Sequence, residues 1–136
     1  IPSSFYQRLK AGEDYITKDG MVIKNEWLTL PVAPGESYAY CADTVYDERI
    51  SVKCKDVDLL YHEATYLDDQ SEKAAGRMHS TSKQAAAIAL KANAGKLLIG
   101  HFSSRYETLD EFITEAQSVF SNTDLAIEGV TYIIHK

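Results

Sequence analysis

Cysteine is scarce in this chain, with two among 136 residues, and proline contributes only three. Two cysteines cannot build the staples of a small secreted scaffold, and the low proline and glycine content excludes a collagen-like fibre or a low-complexity chain. No apolar run approaches the roughly 18–20 residues of a membrane span, and no charged start leads into a signal-type apolar stretch. Positive charge is in deficit. Fourteen Lys and Arg face 20 Asp and Glu, for a net charge of −6. A field of that sign repels nucleic acid at long range, so any phosphate contact must come from local bases. What is present is ordinary: 45% hydrophobic and 25% charged residues, the balance of a globular domain of unit size. Ile1 stands where a methionine would open a reading frame, and the chain is expected to be a processed product or an excised piece.

Punctuation divides the chain into short elements. Ser4 to Gly12 reads as a helix closed by glycine, and Asp19-Gly20 marks a tight turn before apolar stretches at Met21–Ile23 and Trp27–Leu30. After Pro31 and Pro34-Gly35, the aromatic run Ser37 to Ala42 predicts a strand, and Tyr46–Lys55 a helix. Val57–Glu63 reads as a strand buried on both faces, and Lys96–His101 as another. Thr81 to Gln84 and Thr108 to Glu111 have capping-box spacing. Behind the first, Ala85, Ile88, Ala89 and Ala92 share a helical face that Gly95 is expected to end. Behind the second, Leu109, Phe112, Ile113, Ala116, Val119 and Phe120 recur at spacings of three and four. Ala126–Ile127 and Val130–Ile134 are expected as closing strands. Strand and helix alternate from residue 37 onward, which argues for an α/β layered fold in one unit with a partly parallel sheet.

Ligands of open α/β sheets gather at the carboxyl ends of strands. Polar groups collect there: Asp43 after the first strand, His62 and Glu63 after the second, His101 after the third, with His79 before a helix. Asp and neutral His are good ligands for zinc or manganese. Spacing alone does not define a metal site, since HxH, HExxH and HxHxDH are all absent. His62 and Glu63 are adjacent on a strand, so their side chains should diverge, and His62 reads as structural. Ser80 and Thr81 are helix caps for which a phosphate contact is a compatible second use. Arg105 pairs either with a phosphate or with an acidic neighbour. Lys73, Arg77 and Lys83 read as a solvated surface, Trp27, Tyr66 and Tyr106 as packing residues, and His135 as a surface or packing histidine. Cys41 and Cys54 lack CxxC spacing; two buried thiols in a reducing cytosol are expected, against a single disulfide or a reactive thiol.

Four strings stand in order: Ala42-Asp43-Thr44, His62-Glu63-Ala64-Thr65, His79-Ser80-Thr81, and His101-Phe102-Ser103-Ser104-Arg105-Tyr106. Together they resemble the C-terminal half of the ribonuclease Z family, the tRNA 3′-processing endonucleases of the metallo-β-lactamase superfamily. Arg8 to Gly12, Pro31 and Tyr38 to Tyr40 also look like family sequence, so the resemblance covers nearly the whole chain. It implies the C-terminal half of an αβ/βα sandwich, a mixed sheet with flanking helices, spanning residues 1–136. Residues 1–36 would then be a lead-in following the region of the exosite arm.

The resemblance also implies roles. Asp43 would bridge two zinc ions and His101 would ligate one. His79 would protonate the leaving ribose oxygen, with Glu63 holding or polarising it. Ser80, Thr81 and Arg105 would contact substrate, a tRNA precursor, in a cytoplasmic enzyme. The family's HxHxDH motif, which supplies most ligands and the water-activating Asp, is absent, and no histidine precedes His62. Two ligands fall short of the three that a catalytic zinc takes from protein. The chain alone is therefore expected to hold metal weakly or not at all and to be inactive. Half a sandwich would also expose the sheet face that meets the other half, so a homo-oligomer is expected. The alternatives are a non-catalytic interaction module and a metallo-phosphodiesterase acting on another substrate.

Overall fold

A computed structural model describes residues 1–135, which divide into two compact units, Ile1–Gly35 and Glu36 onward. The sequence reading of one unit is thus refined, because the first 35 residues close on themselves.

In the first unit, a 3₁₀ turn at Ser3–Phe5 runs into α1 (Tyr6–Lys10), and Gly12 follows at φ +89°, a left-handed conformation suited to glycine. Strands β1 (Tyr15–Ile16) and β2 (Val22–Ile23) form an antiparallel hairpin around the Asp19-Gly20 turn. One helical turn, α2 (Asn25–Leu28), occupies part of the second apolar stretch. Asn25 locks the unit: its Nδ2 donates to Leu9 O at 2.8 Å and Glu13 O at 3.0 Å, while its backbone N–H donates to Asp14.

The second unit is a four-stranded sheet in the order β3 (Tyr38–Cys41), β4 (Leu59–Glu63), β5 (Lys96–Gly100), β6 (Thr123–Leu125), parallel throughout. Between them run α3 (Arg49–Lys53), α4 (Ser71–Gly76), α5 (Ser82–Ala92) and α6 (Asp110–Val119). Sequential parallel neighbours require crossovers, and the helices supply them. Leu60, Leu97 and Ile99 from the sheet pack with Ala85, Ile88 and Ala89 of α5 and with Phe112 and Ala116 of α6. Those eight side chains bury the helix-facing side of the sheet, and small alanines on α5 let the helix approach closely. The other side carries Tyr38, Tyr40 and Tyr61; Tyr40 stacks on Tyr61 with centroids 4.6 Å apart. Tyr38 and Tyr40 remain 53% and 64% exposed, so this side of the sheet has a solvent-facing aromatic strip.

Three local expectations change. Helix α5 ends at Ala92 with Asn93 left-handed, not at Gly95. Gly95 answers a different need, since a Cβ there would lie 2.6 Å from Asp58 O. Thr108 does not cap α6, which starts at Asp110 from an uncapped Leu109. The last strand is Thr123–Leu125, and Val130–Ile134 forms none. Its Tyr132 hydroxyl instead donates to Leu125 O and accepts from Ile127 N, pinning the stretch locally.

Candidate metal and acid–base site

The carboxyl ends of β3, β4 and β5 converge on one cluster. Glu63 is the last residue of β4 and His101 the first beyond β5; Asp43 lies two residues past β3. His79 comes from the turn between α4 and α5. One ligating atom from each of Asp43, Glu63, His79 and His101 lies within 4.8 Å of the others. The backbone is bent unusually to achieve this. Asp43, Met78 and His101 have φ of 47°, 61° and 61°, left-handed conformations that are uncommon for non-glycine residues. At Met78 the cause is visible: His79 N donates to Ala74 O at 2.8 Å and Met78 N to Ala75 O at 3.1 Å. That is a Schellman-type helix end, with methionine where glycine usually stands.

Glu63 organises the cluster from within, with no solvent exposure. Its Oε1 accepts from His79 Nδ1 at 2.7 Å and from Thr44 N at 3.0 Å. Its Oε2 accepts from Thr65 Oγ1 at 2.7 Å, Ser80 N at 3.1 Å and Thr65 N at 3.2 Å. Burial by itself would push this carboxyl up. The donors from Thr65, His79 and Ser80 outweigh it and hold the acid below its ordinary value. Five donors saturate the lone pairs of a carboxylate, so Glu63 holds side chains and has no capacity left for a metal. An ionised carboxylate only accepts, so His79 carries its proton on Nδ1 and presents Nε2 to the outside.

His101 Nε2 and Asp43 Oδ1 face each other at 3.4 Å, on side chains 46% and 75% exposed. Two ligands of one tetrahedral zinc, each at about 2.1 Å, would stand about 3.4 Å apart. The pair therefore fits a zinc ion in chemistry and spacing, and it is two ligands, not three.

The other candidates lie around this cluster. Ser80 and Thr81 are fully buried. Ser80 Oγ donates to Thr44 O at 2.7 Å, tying the loop after β3 to the start of α5. Thr81 forms the predicted capping box with Gln84, and its hydroxyl also donates to Asp68. Both hydroxyls are engaged within the protein. Arg105 is exposed; its guanidinium meets the neutral Gln70 amide at 3.2 Å and the Tyr106 ring at 5.5 Å. No carboxylate pairs with it among the described residues, so the acidic-neighbour reading is not realised there. His62 turns away from Glu63, is fully buried, and donates from Nδ1 to Glu63 O at 2.8 Å; burial pushes its pKa down. Cys41 and Cys54 are half-buried free thiols, and burial followed by the neighbouring Cys54 pushes Cys41 up to about 11.

Sequence reasoning assigned no role to Thr65. Its hydroxyl touches both Glu63 and, at 2.9 Å, His101 Nδ1. The only signal was its place two residues after Glu63 in a string noted as a whole.

Comparison with known proteins gives the family of this fold. Residues 8–102 match the model of the beta-lactamase superfamily domain. Ribonuclease Z of Bacteroides thetaiotaomicron is 43% identical over 135 residues, which is 99% of this chain and 43% of that protein. The chain thus spans less than half the length of the curated relatives it matches. Among solved structures, the metallo-beta-lactamase fold protein YhfI from Bacillus subtilis matches with a TM-score of 0.66 and 30% identity. That match covers 71% of this chain and 39% of YhfI. The short form of human tRNase Z matches with a TM-score of 0.50 and 31% identity, over 63% of this chain and 27% of that one. With the family model matched over most of its length, the chain belongs to the β-lactamase superfamily, and within it resembles part of ribonuclease Z.

Proposed function

We propose that the chain is the C-terminal half of a zinc-dependent endoribonuclease that removes 3′ trailers from tRNA precursors. The observation that carries this reading is the convergence of Asp43, Glu63, His79 and His101 within 4.8 Å at the carboxyl ends of parallel strands. Residues 1–36 are the lead-in that follows the exosite arm. Asp43 and His101 hold metal, completed to two zinc ions by ligands from outside this chain. Bound zinc would supply Lewis-acid stabilisation of the phosphoryl oxygens. His79, oriented through Nδ1 by Glu63, delivers a proton from Nε2 to the departing ribose oxygen. Arg105 offers its uncompensated charge to a substrate phosphate. Ser80 and Thr81, whose hydroxyls and backbone N–H groups are engaged within the protein, shape the turn that carries His79 instead of contacting substrate.

The isolated chain is inactive in this reading and self-associates in the cytoplasm through the aromatic strip of Tyr38 and Tyr40. No helix among the described residues is long and apolar enough to cross a membrane. The test compares the 136-residue chain with the full-length protein, on a tRNA precursor and on a generic phosphodiester. Metal-dependent cleavage of the precursor by the full-length protein alone is expected. Cleavage of the generic ester with the precursor left intact moves the activity to another phosphodiester. Inactivity of both proteins on both substrates supports a non-catalytic interaction module, and robust turnover by the purified chain overturns its inactivity. A monodisperse monomer in sedimentation overturns self-association.

A further inference from the structure

We propose that Thr65 is a positioning residue whose hydroxyl links Glu63 to His101 and thereby fixes which ring nitrogen of His101 carries the lone pair. Thr65 Oγ1 stands 2.7 Å from Glu63 Oε2 and 2.9 Å from His101 Nδ1. A hydrogen must lie between the first two oxygens, and an ionised carboxylate has none to give. The Thr65 hydrogen therefore points at Glu63. A hydroxyl has one hydrogen, so toward His101 its oxygen can only accept. The hydrogen between Thr65 and His101 belongs to Nδ1, and the neutral imidazole is left with its lone pair on Nε2. That is the atom 3.4 Å from Asp43 Oδ1.

The surrounding contacts keep this arrangement in place. Thr65 is buried, and its backbone N–H donates to the same Oε2 at 3.2 Å. Ser103 N donates to Thr65 O at 3.0 Å and Ala64 N to Gly100 O at 2.8 Å, which fastens the loop after β4 to the loop carrying His101. One buried carboxylate thus orients both histidines: His79 directly and His101 through one hydroxyl. The two rings, 5.3 Å apart, are set with Nδ1 inward and Nε2 outward.

The consequence for metal binding rests on the reading of Asp43 and His101 as ligands; the tautomer does not. The chain has four histidines, so ¹⁵N-histidine labelling gives a spectrum in which each ring can be assigned by substitution. At a fixed pH near 8.5, where imidazoles are neutral, His101 is expected as the Nδ1–H form in the wild type. Thr65→Ser keeps that form, and Thr65→Val moves the ring toward Nε2–H. If Thr65→Val fails to fold, Thr65→Ala takes its place. A wild-type ring in the Nε2–H form, or an Nδ1–H ring that survives loss of the hydroxyl, overturns the proposal. In the full-length protein, zinc ion alone is then titrated, and Thr65→Val is expected to weaken binding about 10–100-fold, with rescue by serine. A relay intact by tautomer, with His101 Nε2 unmoved by zinc, upholds the link and overturns the ligand reading.

Discussion

His79 donates its Nδ1–H to the fully buried carboxylate of Glu63 at 2.7 Å, so a partly exposed ring is aligned by a charge that carries no solvent exposure. Glutamine at position 63 keeps the shape and removes the charge. Its amide oxygen belongs at the Oε2 site, where three donors converge, which leaves its NH₂ against Thr44 N–H and His79 Nδ1–H. Glu63→Gln should cost about 1–3 kcal/mol in urea unfolding, the scale for stranded buried donors. If His79 delivers the proton as proposed, the full-length protein carrying Glu63→Gln should lose about 10²–10⁴-fold in kcat.

Stability should fall toward acid in two windows. His62 titrates below its ordinary 6.5 because burial disfavours its charged form. The unfolded chain then takes up a proton before the native one does, so stability is full above 6.5 and declines below it. Glu63 is held below its ordinary 4.5, so its contribution is present above 4.5 and is lost as the pH drops through its folded value. Urea midpoints measured against pH should lose the upper decline in His62→Leu and the lower one in Glu63→Gln.

Met78, two residues past the end of α4, is left-handed and 62% exposed. Met78→Gly should raise stability by about 0.5–1 kcal/mol, since glycine adopts this conformation without the Cβ penalty. In the full-length protein, Asp43→Gly and His101→Gly should relieve the same local cost and, if these residues are ligands as proposed, weaken zinc binding, which thermal unfolding and zinc titration would read together.

Glycine is required at two points for different reasons. A Cβ on Gly95 would meet the Asp58 backbone oxygen at 2.6 Å, and one on Gly100 the Tyr61 hydroxyl at 2.5 Å. Backbone cannot step aside as a tyrosine ring can. Gly95→Ala should therefore cost about 1–3 kcal/mol, and Gly100→Ala less, with loss of the Tyr40–Tyr61 stack visible in near-ultraviolet circular dichroism.

Cys41 should react slowly with iodoacetamide at neutral pH and accelerate toward pH 11, because burial holds its thiol protonated. Labelling at pH 7 as fast as a free thiol would contradict this.

Helix α5 was legible in the sequence except for its end: its cap, its buried alanine stripe and its strand neighbours are local patterns with local causes, while its stop lies at Asn93 and not at Gly95. Helix α6 shows where such reading fails. Thr108 has capping-box spacing, yet the helix begins two residues later. Val130–Ile134 has strand composition, but β6 had already taken the edge of the sheet at Thr123–Leu125, and Tyr132 bonds back to Leu125 and Ile127.

By itself the sequence determined the alternation of strand and helix, the placing of Asp43, Glu63 and His101 at strand ends, and the membership that four ordered motifs announce. Those are properties of neighbours along the chain, where periodicity and capping act. Only the tertiary structure decided that Glu63 is saturated by five donors, that Ser80 and Thr81 are turned inward, and that Thr65 stands between two functional groups. A hydrogen bond between residues 36 positions apart depends on how parallel strands register and where their loops close. No local pattern encodes that distance; the packed sheet sets it.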